Sequence, residues 1–218
     1  MVNDKTNQIK DAVTEIFLVR HGETCNNKLG FYTGALDIPL TSKSKKQAFI
    51  LAEKLAKISF DSIYSSGLRR ANESAQPLAD KLGLKLKFDP GFREINFGKW
   101  EGLSASEIQD KYKKVWNDWC YNTSKVKFPG GESFKIFKVR VLSALGRVLD
   151  NERGKTVAVF CHGGTIRLIV LSILEGKFTM MPRLVQHNFA MTHLIFYGNV
   201  AMINGVYNLD DKNILKML

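Results

Sequence analysis

The 218-residue chain is predicted to fold as an α/β protein, a three-layer α/β/α sandwich whose central sheet is mainly parallel with an antiparallel edge. Three observations lead there. Continuous apolar runs such as Ile16-Phe17-Leu18-Val19 and Val157-Ala158-Val159-Phe160 read as strands buried on both faces. Segments of helical periodicity separate these runs, and strands alternating with helices imply parallel crossovers. Near the end, Met191 to Tyr197 and Val200 to Val206 flank Gly198-Asn199, a two-residue hairpin signal that supplies the antiparallel pair.

Residues 1–14 read as a polar arm, and 15–218 as a single domain. The first strand covers Ile16 to Val19. Thr41 or Ser42 can cap a helix running to about Ile58, with Ala48, Leu51, Ala52, Leu55 and Ile58 on one face. Ser62-Ile63-Tyr64 is a second short strand. A helix from about Leu68 to Leu82 follows and is ended by Gly83. Leu84 to Phe88 alternates like an edge strand. Gly130-Gly131-Glu132-Ser133 opens a helix through about Leu149, Thr156 to Phe160 is a strand, and Thr165 to Leu174 a helix.

Composition narrows the function classes. Hydrophobic residues at 44% and charged residues at 24% suit a soluble domain, and no apolar run spans a bilayer. The polar N-terminus lacks the apolar segment of a secretory signal, so a cytoplasmic location is expected. Cys25, Cys120 and Cys161 show no paired spacing and are expected to be reduced thiols rather than a disulfide framework or metal site. Lys+Arg number 32 against 21 Asp+Glu; the resulting +11 favours an anionic partner. Most lysines are scattered and read as solvated surface. The charge leaves a second class open, a nucleic-acid-binding protein or phosphate sensor, but no helix-turn-helix, zinc-finger or RNA-binding aromatic signature is present. Neither nucleic acid nor membrane is expected as a partner, and the protein is expected to be a monomer or homodimer.

Two places share one local design. Val19 ends a strand and is followed by Arg20-His21-Gly22-Glu23-Thr24; Phe160 ends another and is followed by Cys161-His162-Gly163-Gly164-Thr165. Ligands of open α/β sheets bind beyond the carboxyl ends of strands. Glycine after each histidine lets backbone approach a ligand and turn N–H groups toward an anion. A third strand end, Tyr64-Ser65-Ser66, leads to Leu68-Arg69-Arg70, where guanidinium groups can fork onto phosphate oxygens.

These blocks, with several more, resemble the histidine phosphatase superfamily, also called phosphoglycerate-mutase-like, from Phe17 to Phe196. The match includes Arg20 to Thr24 with Asn27; Gly34-Ala35-Leu36-Asp37-Ile38-Pro39-Leu40-Thr41; Arg70-Ala71; Arg93-Glu94-Ile95 with Phe97-Gly98-Lys99-Trp100-Glu101-Gly102; Pro129 to Ser133; and His162-Gly163-Gly164-Thr165-Ile166-Arg167. The resemblance implies a phosphoglycerate-mutase-like fold and a phosphatase working without metal or cofactor on a small phosphorylated metabolite. It implies that His21 is the nucleophile. Arg20, Arg70 and His162 would line the phosphate pocket with Asn27, Thr33 and Gly34, and the Gly163 N–H would donate to the phosphate. Glu94 would be the general acid, in preference to Glu101 or Glu23. His193 reads as structural and His187 as at most a rim residue. A neutral His21 is needed for attack while His162 serves best charged, so their pKa values are expected to be pushed apart.

Ser44, Glu73-Ser74 and Cys161 depart from the family's usual glycine, Gln-Thr and serine. The segment 103–129 is expected to be an insert covering the active site, its aromatics Tyr112, Trp116, Trp119, Tyr121 and Phe128 either shaping a pocket or packing the insert onto the core. The residues after Glu94 look more like the phosphatase branch, including α-ribazole phosphatases, than like the mutases. Hydrolysis, with α-ribazole 5′-phosphate a candidate substrate, therefore ranks ahead of cofactor-dependent phosphoglycerate mutase activity.

Overall fold

The computed structural model describes residues 13–198 and 200–208. Six strands form one sheet: β1 (Val13–Arg20), β2 (Ser62–Ser65), β3 (Leu86–Phe88), β4 (Thr156–Cys161), β5 (Met191–Tyr197) and β6 (Val200–Tyr207). Their order is β3-β2-β4-β1-β5-β6. The first four are mutually parallel, and β5 and β6 extend the sheet antiparallel.

The apolar runs are central strands because both of their faces are covered. Ile16 and Leu18 point into one hydrophobic core with Val157 and Val159; Phe17 and Val19 point into the other with Ala158 and Phe160. This period-two alternation is what a strand imposes on its side chains. The second core is closed by α2 (Ser42–Leu55) and α3 (Arg69–Leu82), the first by α6 (Phe134–Asn151) and α7 (Gly163–Ile173). Three layers result, as predicted.

The boundaries moved for local reasons. β1 starts at Val13 because Val13 and Thr14 pair with Tyr197 and Phe196, so the predicted arm loses its last two residues; its residues 1–12 lie outside the described ones. α2 is capped by Thr41, whose hydroxyl accepts from Ser44 N, and stops at Leu55; Ile58 is buried beyond its end. Gly83, at φ +65, ends α3 in the left-handed region, and Leu84 N–H turns back to Ala79 O, which delays β3 until Leu86. α7 begins at Gly163, two residues early, because extended His162 serves as its N-cap. The periodicity did not reveal α1 (Cys25–Leu29), closed by a Thr24–Asn27 capping box, or α4 (Ala105–Lys111) and α5 (Lys113–Tyr121) within the insert. Among the described residues no helix is long and apolar enough to cross a membrane.

This topology brings the two His-Gly turns together. β1 and β4 are neighbours in register, Arg20 opposite Cys161, and His21 N–H donates to Cys161 O at 3.0 Å. Ser66, at the end of β2, donates its N–H to Phe160 O. Three strand ends thus open on one rim of the sheet.

Candidate active site

Side by side at that rim, His21 and His162 have ring centroids 5.1 Å apart. His21 Nδ1 lies 2.7 Å from Gly22 O, a group that can only accept, so Nδ1 carries the hydrogen. Nε2 is left with its lone pair, and Arg70 Nε donates to it at 3.3 Å. A neutral, oriented imidazole results. The turn is pinned from outside by residues that depart from the family pattern: Ser74 Oγ accepts from Gly22 N, and Ser44 Oγ from Glu23 N. His162, fully buried, has Nε2 2.8 Å from Ser66 Oγ, while its Nδ1 has no partner.

Two guanidinium groups complete the cradle. Arg70, on the first turn of α3, is fully buried and donates to the carbonyls of Gly34 and Leu36 at 2.7 and 2.6 Å. Gly34 is required there: at φ +51, a Cβ would collide with the Glu101 carboxylate. Arg20 donates to Gln186 O and leaves a buried Nε unpartnered. Burial lowers both arginines to about 10, so they stay charged at neutral pH.

Glu94 sits in irregular chain, yet it is firmly placed. Its Oε2 accepts from Gly164 N at 2.9 Å and its Oε1 from Ile95 N at 3.0 Å. A Cβ at position 164 would strike this carboxylate, so the second glycine of the His162 turn makes room for it. Behind it, Arg140 of α6 donates to Glu94 O, Gly91 O and Arg93 O, and it is itself gripped by both oxygens of Glu132. Glu101 takes another job, its Oε1 accepting from Ala35 N and Phe97 N.

A cavity of about 540 Å³ opens over these groups, lined by Arg20, His21, Asn27, Thr33, Gly34, Arg70, Glu94 and Gly163 among others. Every predicted site residue therefore converges there except His162, which lies against His21 rather than on the cavity wall. Asn27 also serves its own helix, its Oδ1 accepting from Thr24 N. The predicted Gly163 donor is present on the wall, but the N–H engaged with Glu94 is that of Gly164. His187 and Glu23 line a different cavity, and His193 pairs with Glu15 at 2.6 Å and stacks on Phe17. Sequence reasoning assigned no role to Tyr32 or Arg167, which also line the main cavity. Arg167 was visible as the residue one helical turn beyond Gly163; Tyr32 carried no motif signal. Of the insert aromatics, Trp116 and Trp119 reach the cavity, Trp119 also packing edge-on against Phe97 and Phe128; Phe128 is core and Tyr121 is exposed.

One expectation is corrected. The two histidines are not pushed apart: both are held well below the usual imidazole value, by burial first, then by Arg70 and Arg20 for His21, and by Arg70, His21 and Arg20 for His162. Two positive guanidinium groups repel a proton from either ring alike. This fixes a sign. The unfolded chain binds a proton on each imidazole near pH 6.5, while the folded chain does not. Stability is therefore full above about 6.5 and falls as pH is lowered, by about 1.4 kcal/mol per pH unit for each ring. Glu152 acts in another window: burial alone would raise it, but Lys155, Lys87, Tyr64 and Ser62 hold it at about 2, a contribution lost only below about pH 4.5. Urea midpoints measured between pH 7 and 5 should fall steadily; a flat profile there would contradict two neutral buried rings.

Comparison with known proteins agrees with this geometry. The chain is 34% identical to phosphoserine phosphatase 1 of Hydrogenobacter thermophilus over 162 residues, 74% of this chain and 77% of that protein. It is 37% identical to phosphoglycerate mutase-like protein 4 of Arabidopsis thaliana over 156 residues, 70% of this chain and 68% of that one. The crystal structure of a phosphoserine phosphatase mutant from Entamoeba histolytica in complex with phosphoserine superposes with a TM-score of 0.81 at 29% identity, covering 90% of this chain and 98% of that one. The profile of the histidine phosphatase superfamily (branch 1) matches residues 16–208, and the chain belongs to that superfamily.

Proposed function

We propose that the protein hydrolyses phosphomonoesters of small metabolites through a phosphohistidine on His21. The observation that carries this reading is the orientation of one ring: His21 Nδ1 is committed to Gly22 O, so the Nε2 lone pair faces the cavity between two buried arginines.

Phosphoryl transfer needs positioning and charge stabilisation above all. Arg20 and Arg70 supply charge to the equatorial oxygens, helped by Asn27, Thr33, Gly34 and the Gly163 N–H. His21 Nε2 forms a bond to phosphorus as the bond to the ester oxygen breaks, and Glu94 gives its proton to the departing alkoxide. Water then attacks the phosphohistidine, returning a proton to Glu94, and the N–P bond breaks to release inorganic phosphate. A bound dianion reverses the field that Arg20 and Arg70 impose on His162, so His162 takes up a proton and donates to a phosphate oxygen.

Among the described residues no group of three or more His, Cys, Asp or Glu is placed to hold a metal ion. Turnover of p-nitrophenyl phosphate is accordingly expected to survive exhaustive chelation unchanged. Complete loss on chelation, with recovery on adding a divalent cation, would overturn the metal-independent reading. The leaving group is defined by the cavity wall of Tyr32, Phe97, Trp116 and Trp119. A screen should include phosphoserine, phosphoglycerates, sugar phosphates and α-ribazole 5′-phosphate. Supplying 3-phosphoglycerate with a bisphosphoglycerate primer separates hydrolase from mutase: rapid isomerisation without phosphate release would favour the mutase. Steeply salt-dependent duplex binding with no turnover of any ester would favour the nucleic-acid class.

A further inference from the structure

We propose that Arg167 is the binding residue for a second, monoanionic group on the substrate, and that the protein selects phosphomonoesters whose alcohol part carries a carboxylate. The inference rests on the hydrolase reading above and deepens it.

Arg167 lies on α7, one helical turn from Gly163, and lines the same cavity as His21 and Glu94. Its Nε is buried without a hydrogen-bond partner, and among the described residues no ion pair engages its guanidinium. A desolvated, unpaired guanidinium is costly to keep, and its fork matches a carboxylate. The other two arginines of the cavity are already committed around His21, Arg70 through its contact with Nε2 and Arg20 at the end of β1.

Counting charge gives the same answer. Arg20, Arg70 and Arg167 bring three positive charges to the cavity, and Glu94 is the sole carboxylate on its described wall. When Glu94 holds the proton destined for the leaving group, the wall carries +3. A phosphomonoester dianion balances two of these charges and leaves one for a monoanion. A phosphate ester of a neutral alcohol would leave Arg167 buried and unpaired beneath it, which is the basis of discrimination.

The test uses matched pairs: O-phosphoserine against O-phosphoethanolamine, and 3-phosphoglycerate against glycerol 1-phosphate, each pair differing by the carboxylate. Steady-state kcat/KM for the wild type should favour the carboxylated member by about 30-fold, the size of a charge-assisted contact. Arg167→Met should collapse that ratio to within about 3-fold, chiefly through KM, and Arg167→Lys should keep part of it. A wild-type ratio near one would overturn the proposal, as would equal losses on both members of each pair, which would mean that Arg167 acts only through Glu94. Should Arg167→Met fail to fold, the wild-type ratio and the lysine variant still decide. Failure of the parent reading looks different: the wild type would turn over none of these esters, nor p-nitrophenyl phosphate.

Discussion

His21→Ala is expected to lower kcat on every phosphomonoester by at least about 10⁴-fold, because it deletes the atom that bonds to phosphorus. The fold should persist. His21 is buried, but its ring contacts are few, and the backbone groups that hold the turn remain: His21 N–H on Cys161 O, and Ser74 Oγ on Gly22 N. Rapid mixing of the wild type with ³²P-labelled substrate should trap a protein-bound label that is acid-labile and base-stable, as a phosphoramidate is. That label should map to His21 and vanish in the alanine variant. Label persisting in His21→Ala, or a wild-type label stable to acid, would refute the covalent step.

Glu94→Gln is expected to slow alkyl phosphates by about 10² to 10³-fold while slowing p-nitrophenyl phosphate by less than about 10-fold. An alkoxide needs its proton as it departs; a nitrophenolate leaves without one. The substitution is nearly isosteric and can still accept the Gly164 and Ile95 N–H groups through its carbonyl oxygen, so the loop should hold its place. A series of leaving groups of graded pKa makes the effect measurable as a steeper dependence of rate on leaving-group pKa in the variant. Parallel lines for wild type and variant would assign the proton to another residue.

Much of this architecture could be read from residue order alone, for identifiable reasons. Runs such as Ile16 to Val19 are apolar on both faces because both faces are covered, and Gly83 marked a helix end because its left-handed backbone disfavours other residues. The convergence of Arg20, His21, Arg70 and Glu94 was legible because motif blocks sat at strand ends whose neighbours the α/β topology dictates. The misses are three-dimensional. α4 and α5 are short and partly polar, so their periodicity is weak. The state of His162 depends on Arg70 and Arg20, which reach it from other elements, and no property of its own sequence neighbourhood reports that field. Arg167 stood in plain view within a motif, but its lack of a partner is a property of the folded surroundings.

The grip of Arg140 and Glu132 on the segment carrying Glu94 has an evolutionary consequence. Phosphorus capture is anchored in the sheet, whereas the proton donor hangs from an outer helix by carbonyl tethers. A lineage can therefore adjust which alcohols it releases by small changes on that helix, while the chemistry at the strand ends stays as it was.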